Sequence, residues 1–184
     1  VSTDPITGAE EWIGWLAVNV SANDVATCGV QPRWFVSCML LQEGSEENFI
    51  DKICRQIDKA ARQLGVAVIA GHCEITPGIS HPIVVGCAMG VAEGGKYVTS
   101  SGAKPGNSLI LTKGAGIEGT AILASDKRRV LLGTFDESFL KGAENFFEKI
   151  SVVEDAITAF QTGGVSAMHD PTEGGVAGGI HELA

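Results

Sequence analysis

Three polar islands interrupt apolar stretches of the chain, and each sets a carboxylate where a regular element gives way to a loop. In "STDPITG" (Ser2 to Gly8), Asp4 stands at the end of a β-like stretch just before Pro5. It either starts an Asx-type turn or projects a ligand-binding carboxylate, since strand ends hold such groups in layered α/β folds. In "NVSANDVATCGVQP" (Asn19 to Pro32), Asn19 and Asn23 form an i, i+4 pair with Asp24 beside them. Three residues of this type are costly inside a helix, so they form either a solvated face or a site that tertiary contacts support. A half-buried Asp24 among Val20, Val25 and Ala26 calls for a cation, and magnesium accompanying a nucleotide is a natural one. In "AGHCEITPGISHP" (Ala70 to Pro82), His72 and Glu74 follow a very apolar run and share one face of an extended strand. His72 alone reads as a structural histidine or a ligand, and with His81 it lacks zinc spacing.

Two glycine-rich loops follow. "TKGAGIEGTA" (Thr112 to Ala121) puts Lys113, Gly114 and Gly116 ahead of a helix, where backbone N–H groups and the helix dipole favour an anion. It matches neither the Walker loop nor the dinucleotide fingerprint. "HDPTEGGVAGG" (His169 to Gly179) has the same logic: Thr172 caps a helix, Glu173 supplies charge, and Gly174 and Gly175 let backbone approach a phosphate. Locally, each loop reads equally well as a structural turn.

The elements that must position these groups alternate between strand-like and helix-like, which predicts a layered α/β (α+β) fold. The pattern predicts a strand ahead of Asp4, a helix from Gly14 to Cys28 ended by Gly29, and a buried strand from Arg33 to Leu41. A helix from Glu46 to Leu64 follows, with Ser45 as cap and Gly65 as terminator; "VAVIA" and "PIVVGCAMGV" are the next strands. Beyond Tyr97 come a turn at Lys104 to Asn107, a short buried strand from Leu109 to Thr112, and a helix after the glycine loop. A charged helix near Phe135 to Ile150 precedes one opened by a Ser151/Glu154 capping box and ended by Gly163 and Gly164. The domain boundary is placed at residue 100, giving 1–100 and a second, incomplete domain, 101–184.

A chain of 184 residues with 45% hydrophobic content has ample material for a core. The net charge of -9, with no basic cluster larger than Asp126 to Arg129, argues against nucleic acid or an anionic membrane as partner. No apolar run is long enough to span a bilayer. The five cysteines, an odd number without a C-x-x-C pair, read as reduced thiols of a cytoplasmic protein. Both ends are expected to be cut ends: Val1 lies inside an apparent strand and Ala184 inside the first turns of a helix.

In this order, "STD", "NDVATCGVQP", "AGHCEITPG", "KPGNSLILTKGAGIEGTAIL" and "DPTEGGVAGGIHELA" resemble the aminoimidazole-ribonucleotide synthetase superfamily. Within it, the likeness is to the hydrogenase-maturation branch of HypE and its relatives. It covers nearly the whole chain, and N-D-x-x-x-x-G-x-x-P and D-P-T-x-G-G-V-A are its most specific parts. The resemblance implies an N-terminal mixed-sheet domain that dimerises into a β-barrel, and a C-terminal α/β domain closing over a nucleotide. It implies an ATP- and Mg2+-dependent enzyme that activates a substrate oxygen by phosphoryl transfer. Carried over, Asp4 and Asp24 match the magnesium carboxylates, and Asn23 the polar neighbour of the second. His72 stands where many relatives have Asp or Glu, with Glu74 as a substitute. Asp24, Lys113 and Asp170 are the expected catalytic groups; Asn23, His72, Glu74, Gly114, Gly116, Thr172, Gly174 and Gly175 join Asp4 around the cofactor.

The branch implies dehydration of a carbamoylated C-terminal cysteine to a thiocyanate, with a small-molecule or carbamoyl substrate and a carbamoyl-transferase partner. Alternatives are the purine-pathway synthetase itself, a thiamine-monophosphate-type kinase, and a non-catalytic dimeric scaffold of the same fold.

Overall fold

The computed structural model describes every residue from Val1 to Ala184. Four strands, β1 (Ser2–Ile6), β2 (Pro32–Leu41), β3 (Ala67–Ile75) and β4 (Ile83–Gly90), form one sheet in the order β1-β4-β2-β3. β4 is antiparallel to β1 and β2, whereas β3 is parallel to β2. The parallel pair needs a long crossover, which helix α2 (Glu47–Leu64) supplies. The sheet is mixed, as expected, but open: within one protomer it does not close into a barrel.

The structure is organised around helix α1 (Ile13–Thr27), which lies between β1 and β2 in the chain. Its sequence is apolar nearly all round, and such a helix must be buried on every side; 13 of its 15 residues are. One side lies on β4 at Gly86, where a Cβ would come within 2.5 Å of the Ala17 carbonyl oxygen and 2.4 Å of Ser21 Oγ. Only glycine permits that approach. A second side packs on α2, whose Ile53, Ile57, Ala60 and Ala61 form the buried stripe of an amphipathic helix. The third meets residues 147–152: Trp15 Nε1 donates to the Phe147 carbonyl at 3.0 Å, and Trp12 stacks on the Phe147 ring at 5.0 Å.

Asn19 and Asn23 are therefore not a solvated face. Asn19 Nδ2 donates back to the Trp15 carbonyl at 2.9 Å. Asn23 donates to the Ile150 carbonyl at 3.0 Å and accepts from the Val152 amide at 2.8 Å. The first turn of α1 has no side-chain cap of its own. One of its free amides is served from elsewhere, Gln56 Oε1 accepting from Gly14 N at 3.0 Å, and the turn leading into it is held by Asp126, which accepts from Glu10 N at 3.0 Å and Glu11 N at 3.2 Å. A single cluster of 23 buried hydrophobic residues runs from the sheet through α1 to Ala121, Phe147 and Ile150.

Beyond β4 the regular elements are all helical, set between long loops: α3 (Ile117–Asp126), α4 (Arg128–Leu131), α5 (Glu137–Glu144), a 3-10 turn (Asn145–Lys149), α6 (Val153–Thr162) and α7 (Gly175–Leu183). No helix is long and apolar enough to cross a membrane, and all five thiols are free.

Several local expectations are corrected. β1 runs through Asp4 and Pro5 to Ile6, because an edge strand tolerates a residue without an N–H. Leu109 to Thr112 forms no strand: no neighbouring strand supplies a ladder, and Ile110 is 82% exposed. The charged stretch near Phe135 to Ile150 is α5 followed by the 3-10 turn rather than one helix. Glu46, not Ser45, is the N-cap of α2, since Ser45 Oγ bonds the Gln42 carbonyl at 2.8 Å. The Ser151/Glu154 capping box does not form; Val152 is the N-cap of α6, and its amide is taken by Asn23.

Alternation splits the sheet into two faces. Phe35, Ser37, Met39 and Leu41 of β2, with Val84 and Ala88 of β4, are buried against the helices. Val36, Cys38, Leu40, Val85, Cys87 and Met89 point the other way and are only half-buried, with no element over them.

Replacing Asn23 by Ala leaves the buried Ile150 carbonyl and the partly buried Val152 amide without partners. The expected cost is about 2–4 kcal/mol of unfolding free energy, checked by urea denaturation against an Asn23→Gln control.

Candidate functional site

Four segments bring carboxylates to one corner. Asp4 comes from β1, Asp24 from the last turn of α1, Glu118 from the first turn of α3, and Asp170 with Glu173 from the loop before α7. The β1 register explains the first: Asp4 pairs with Gly86, whose Cα faces α1, so the Asp4 side chain is turned to the helix layer and not to the open face. Ser2 shares that side and donates its hydroxyl to Asp24 Oδ2 at 2.5 Å.

These acids perturb one another. Burial, then Asp24 and Glu173, hold the Asp4 carboxyl above its usual range. Burial, then Asp4 and Glu173, do the same to Glu118. Asp170 is affected most: burial and the adjacent Asp24 push its pKa up to about 7. Desolvation and like charge act in the same direction, since both disfavour another anion.

No Lys or Arg ion-pairs with any of these five acids. Lys113, the cation of the first glycine loop, is committed to Asp155 Oδ2 at 3.1 Å and to the Lys149 and Ser151 carbonyls. His169 is paired with Glu182.

Beside the acids lies a cavity of about 790 Å³, lined by residues of the 107–119 and 149–156 stretches, the loop leading to Thr172, and Val20, Asn23 and Thr27 of α1. Gly114, Gly116, Glu118, Asp170, Thr172 and Gly175 are in its wall. Its size is that of a site for a nucleotide-sized ligand. Both glycine loops open helices onto this region. Gly116 (φ 69°) and Gly174 (φ 74°) are the left-handed N-caps of α3 and α7, and neither helix has a side-chain cap. The leading amides of both helices are thus free to bond an anion.

Thr172 is not the cap of α7; Gly174 is, and Thr172 Oγ1 donates instead to the Asp170 carbonyl at 3.3 Å. The carboxamide of Asn23 reaches the wall but is spent on Ile150 and Val152. His72 and Glu74 are elsewhere. β3 is the sheet edge opposite β1, and in register they sit beside Cys38 and Leu40, on the face turned away from α1. There His72 Nε2 bonds Glu74 Oε2 at 3.0 Å, and Thr76 joins at 3.1 Å. Within one protomer the pair is not brought to Asp4 and Asp24.

Two residues were missed in the sequence. Glu118 had a signal, an acid in the first turn after a glycine loop. Asp155 had none, because its partner Lys113 is distant in the chain.

No three His, Cys, Asp or Glu side chains converge closely enough to hold a metal by themselves. Hard oxygen donors without a cation of their own nevertheless suit Mg2+, which needs only one or two carboxylates when phosphate oxygens and water complete its octahedron. The residues present fit that mode and not a closed protein cage.

Comparison with known proteins identifies the family and the shared fold. The family model for AIR synthase related protein, N-terminal domain, matches residues 1–92, and that for the C-terminal domain matches 104–184. A putative hydrogenase expression/formation protein of Methanocaldococcus jannaschii is 28% identical over 174 residues, covering 94% of this chain and 49% of the relative. Carbamoyl dehydratase HypE of Rhizobium leguminosarum bv. viciae is 29% identical over 176 residues, 94% of this chain and 47% of the relative. A thiamine-monophosphate kinase of Archaeoglobus fulgidus is 31% identical over 102 residues, 55% of this chain and 32% of the relative. The chain spans about half the length of the hydrogenase-maturation relatives it matches. Among solved structures, a HypE–HypF complex superposes with TM-score 0.81 at 22% identity over 99% of this chain and 59% of that one. HypE in complex with ATP gives 0.78 at 20% identity over 99% and 54%. At these identities the superpositions show the shared fold.

The Asp170 carboxyl gives a signed pH dependence. Its folded pKa lies above the unfolded value, so between pH 4 and 7 the folded state binds the extra proton and stability falls as pH rises. Without divalent cations, Asp170→Asn should raise stability at pH 8 by about 1–3 kcal/mol and leave it nearly unchanged at pH 4. Thermal melts at the two pH values check this.

Proposed function

The chain belongs to the AIR synthase related family, and from that premise we propose that it is an ATP- and Mg2+-dependent enzyme of the hydrogenase-maturation type, a carbamoyl dehydratase. The observation that carries the reading is a cavity of nucleotide size with Asp170 in its wall, Asp24 and Asp4 close to that carboxylate and without cationic partners, and two glycine-opened helix N-termini beside it. The names of the Rhizobium relative and of the ATP-bound HypE structure support it.

Phosphoryl transfer is catalysed mainly by positioning and neutralising charge. Gly114, Gly116, Gly174 and Gly175 present amides to phosphate oxygens, and Asp4 and Asp24 hold the cation. When bound, Mg2+ offsets phosphate charge and orients the chain of phosphates. The substrate's carbamoyl oxygen takes the γ-phosphoryl group and leaves as phosphate, the nitrogen loses two protons, and the C≡N of a thiocyanate forms. Asp170, in the cavity wall next to Asp24, is placed to accept one of those protons. Residues 1–100 form the nucleotide-binding, dimerising domain and 101–184 the first part of the domain that covers it. The half-buried sheet face meets a second copy, which would complete a barrel and place His72 and Glu74 at the interface. A carbamoyl-transferase partner delivers the substrate in this reading; that a HypE relative is solved in complex with a second protein, HypF, supports a protein partner.

A second reading, a small-molecule kinase, rests on the likeness to thiamine-monophosphate kinase. Thiocyanate formation on a carbamoylated cysteine peptide, against phosphate transfer to thiamine monophosphate, separates the two.

Calorimetry on the intact protein should show ATP binding that requires Mg2+ and weakens at least about tenfold in Asp24→Ala. No nucleotide binding by the wild type would remove both enzyme readings and leave the scaffold. Val85→Arg on the open face should convert the dimer to a monomer, read by light scattering.

A further inference from the structure

Lys113 is the only non-glycine residue with a positive φ, at 58°. That region is disfavoured for a residue with a Cβ, so surrounding contacts must hold it there. The ammonium provides them: it pairs with Asp155 Oδ2 at 3.1 Å, donates to the Lys149 carbonyl at 3.2 Å, and bonds the Ser151 carbonyl. Three acceptors use the three donors an ammonium has. Both charged side chains are about a quarter exposed, at 26% and 27%, so the pair is partly shielded from water.

The anchors are not arbitrary. Lys149 and Ser151 flank Ile150, whose carbonyl accepts from Asn23, and the amide two residues on, Val152 N, donates to Asn23 Oδ1. The segment that α1 holds rigid is thus the one to which Lys113 is tied, and the loop it ties leads directly through Gly114 and Gly116 into α3.

We infer that Lys113 is a positioning residue: its ion pair with Asp155 fixes the glycine loop ahead of α3, and so the amides turned to the cavity, while the ammonium itself does not bind ligand. The identity of the ligand rests on the nucleotide reading above; the tether does not.

The test uses Lys113→Met, Lys113→Arg, Asp155→Asn and the Lys113→Met/Asp155→Asn double variant in the intact protein. Amide hydrogen exchange of residues 113–117 and calorimetric affinity for MgATP and for adenosine are the readouts. Lys113→Met and Asp155→Asn should each speed loop exchange and weaken MgATP roughly 5- to 30-fold, as for residues in one ion-pair network. The double variant should be no worse than either, Lys113→Arg should recover part of the loss, and adenosine binding should be unchanged.

If Asp155→Asn binds MgATP as well as wild type while Lys113→Met loses it, Lys113 is a phosphate ligand and the inference is overturned. An equal loss for adenosine, or unaltered loop exchange in both single variants, also overturns it. Should the wild type bind no nucleotide, the functional reading fails by itself and the exchange measurement alone decides the tether.

Discussion

The carboxamide of Asn23 is the joint on which the molecule depends. It lies inside α1, a helix buried by the sheet, α2 and the 147–152 segment. Asn23 satisfies a carbonyl and an amide of that segment, where no regular ladder or helix bond is available to them. Leaving such groups unpaired in a dry contact costs more than the bond itself contributes, so the amide sets the register between α1 and the residues beyond it. The indole of Trp15 and the ring of Trp12 complete the contact at Phe147. Since Asp24 follows Asn23, the same register sets where the carboxylate stands.

That placement has an electrostatic consequence. The corner gathers acids from four segments and no basic side chain pairs with any of them, so the protein alone does not balance their charge. A proton retained by Asp170 is one response; a divalent cation shared with phosphate oxygens is the one that fits hard oxygen donors. The free amides at the starts of α3 and α7 supply the complementary field for an anion. Acids without cations and amides without acceptors, side by side, are the features on which the proposed magnesium–nucleotide site rests.

Much of this was legible in the sequence. The apolar character of α1, the periodicity of α2 and the alternation of β2 and β4 depend on burial patterns that neighbouring residues record, and these elements stand where the pattern puts them. Asp24, the two glycine loops and the Asp170 segment stood out as polar interruptions of apolar runs. Leu109 to Thr112 misled for the converse reason: an apolar run with turns on either side reads as a strand, but strand formation needs a neighbour with which to pair. Ser45, Ser151 and Thr172 misled because a hydroxyl near a helix start is only a candidate cap: Ser45 and Thr172 bond carbonyls in their own loops, and Ser151 accepts from Val153 N at 3.3 Å one residue ahead of the actual N-cap.

The sequence by itself determined the kinds of element, the family and the residue types gathered at the acidic corner and the glycine loops, because each is encoded in short-range pattern. The tertiary structure alone decided which of those residues share a space. It turned Asp4 toward Asp24 and Glu118 toward Asp4 and Glu173, carried His72 and Glu74 to the opposite face and edge, and tied Lys113 to Asp155. Side-chain direction on a strand reverses at every residue, and an ion pair between distant positions leaves no local mark. Such proximity exists only once the chain has packed.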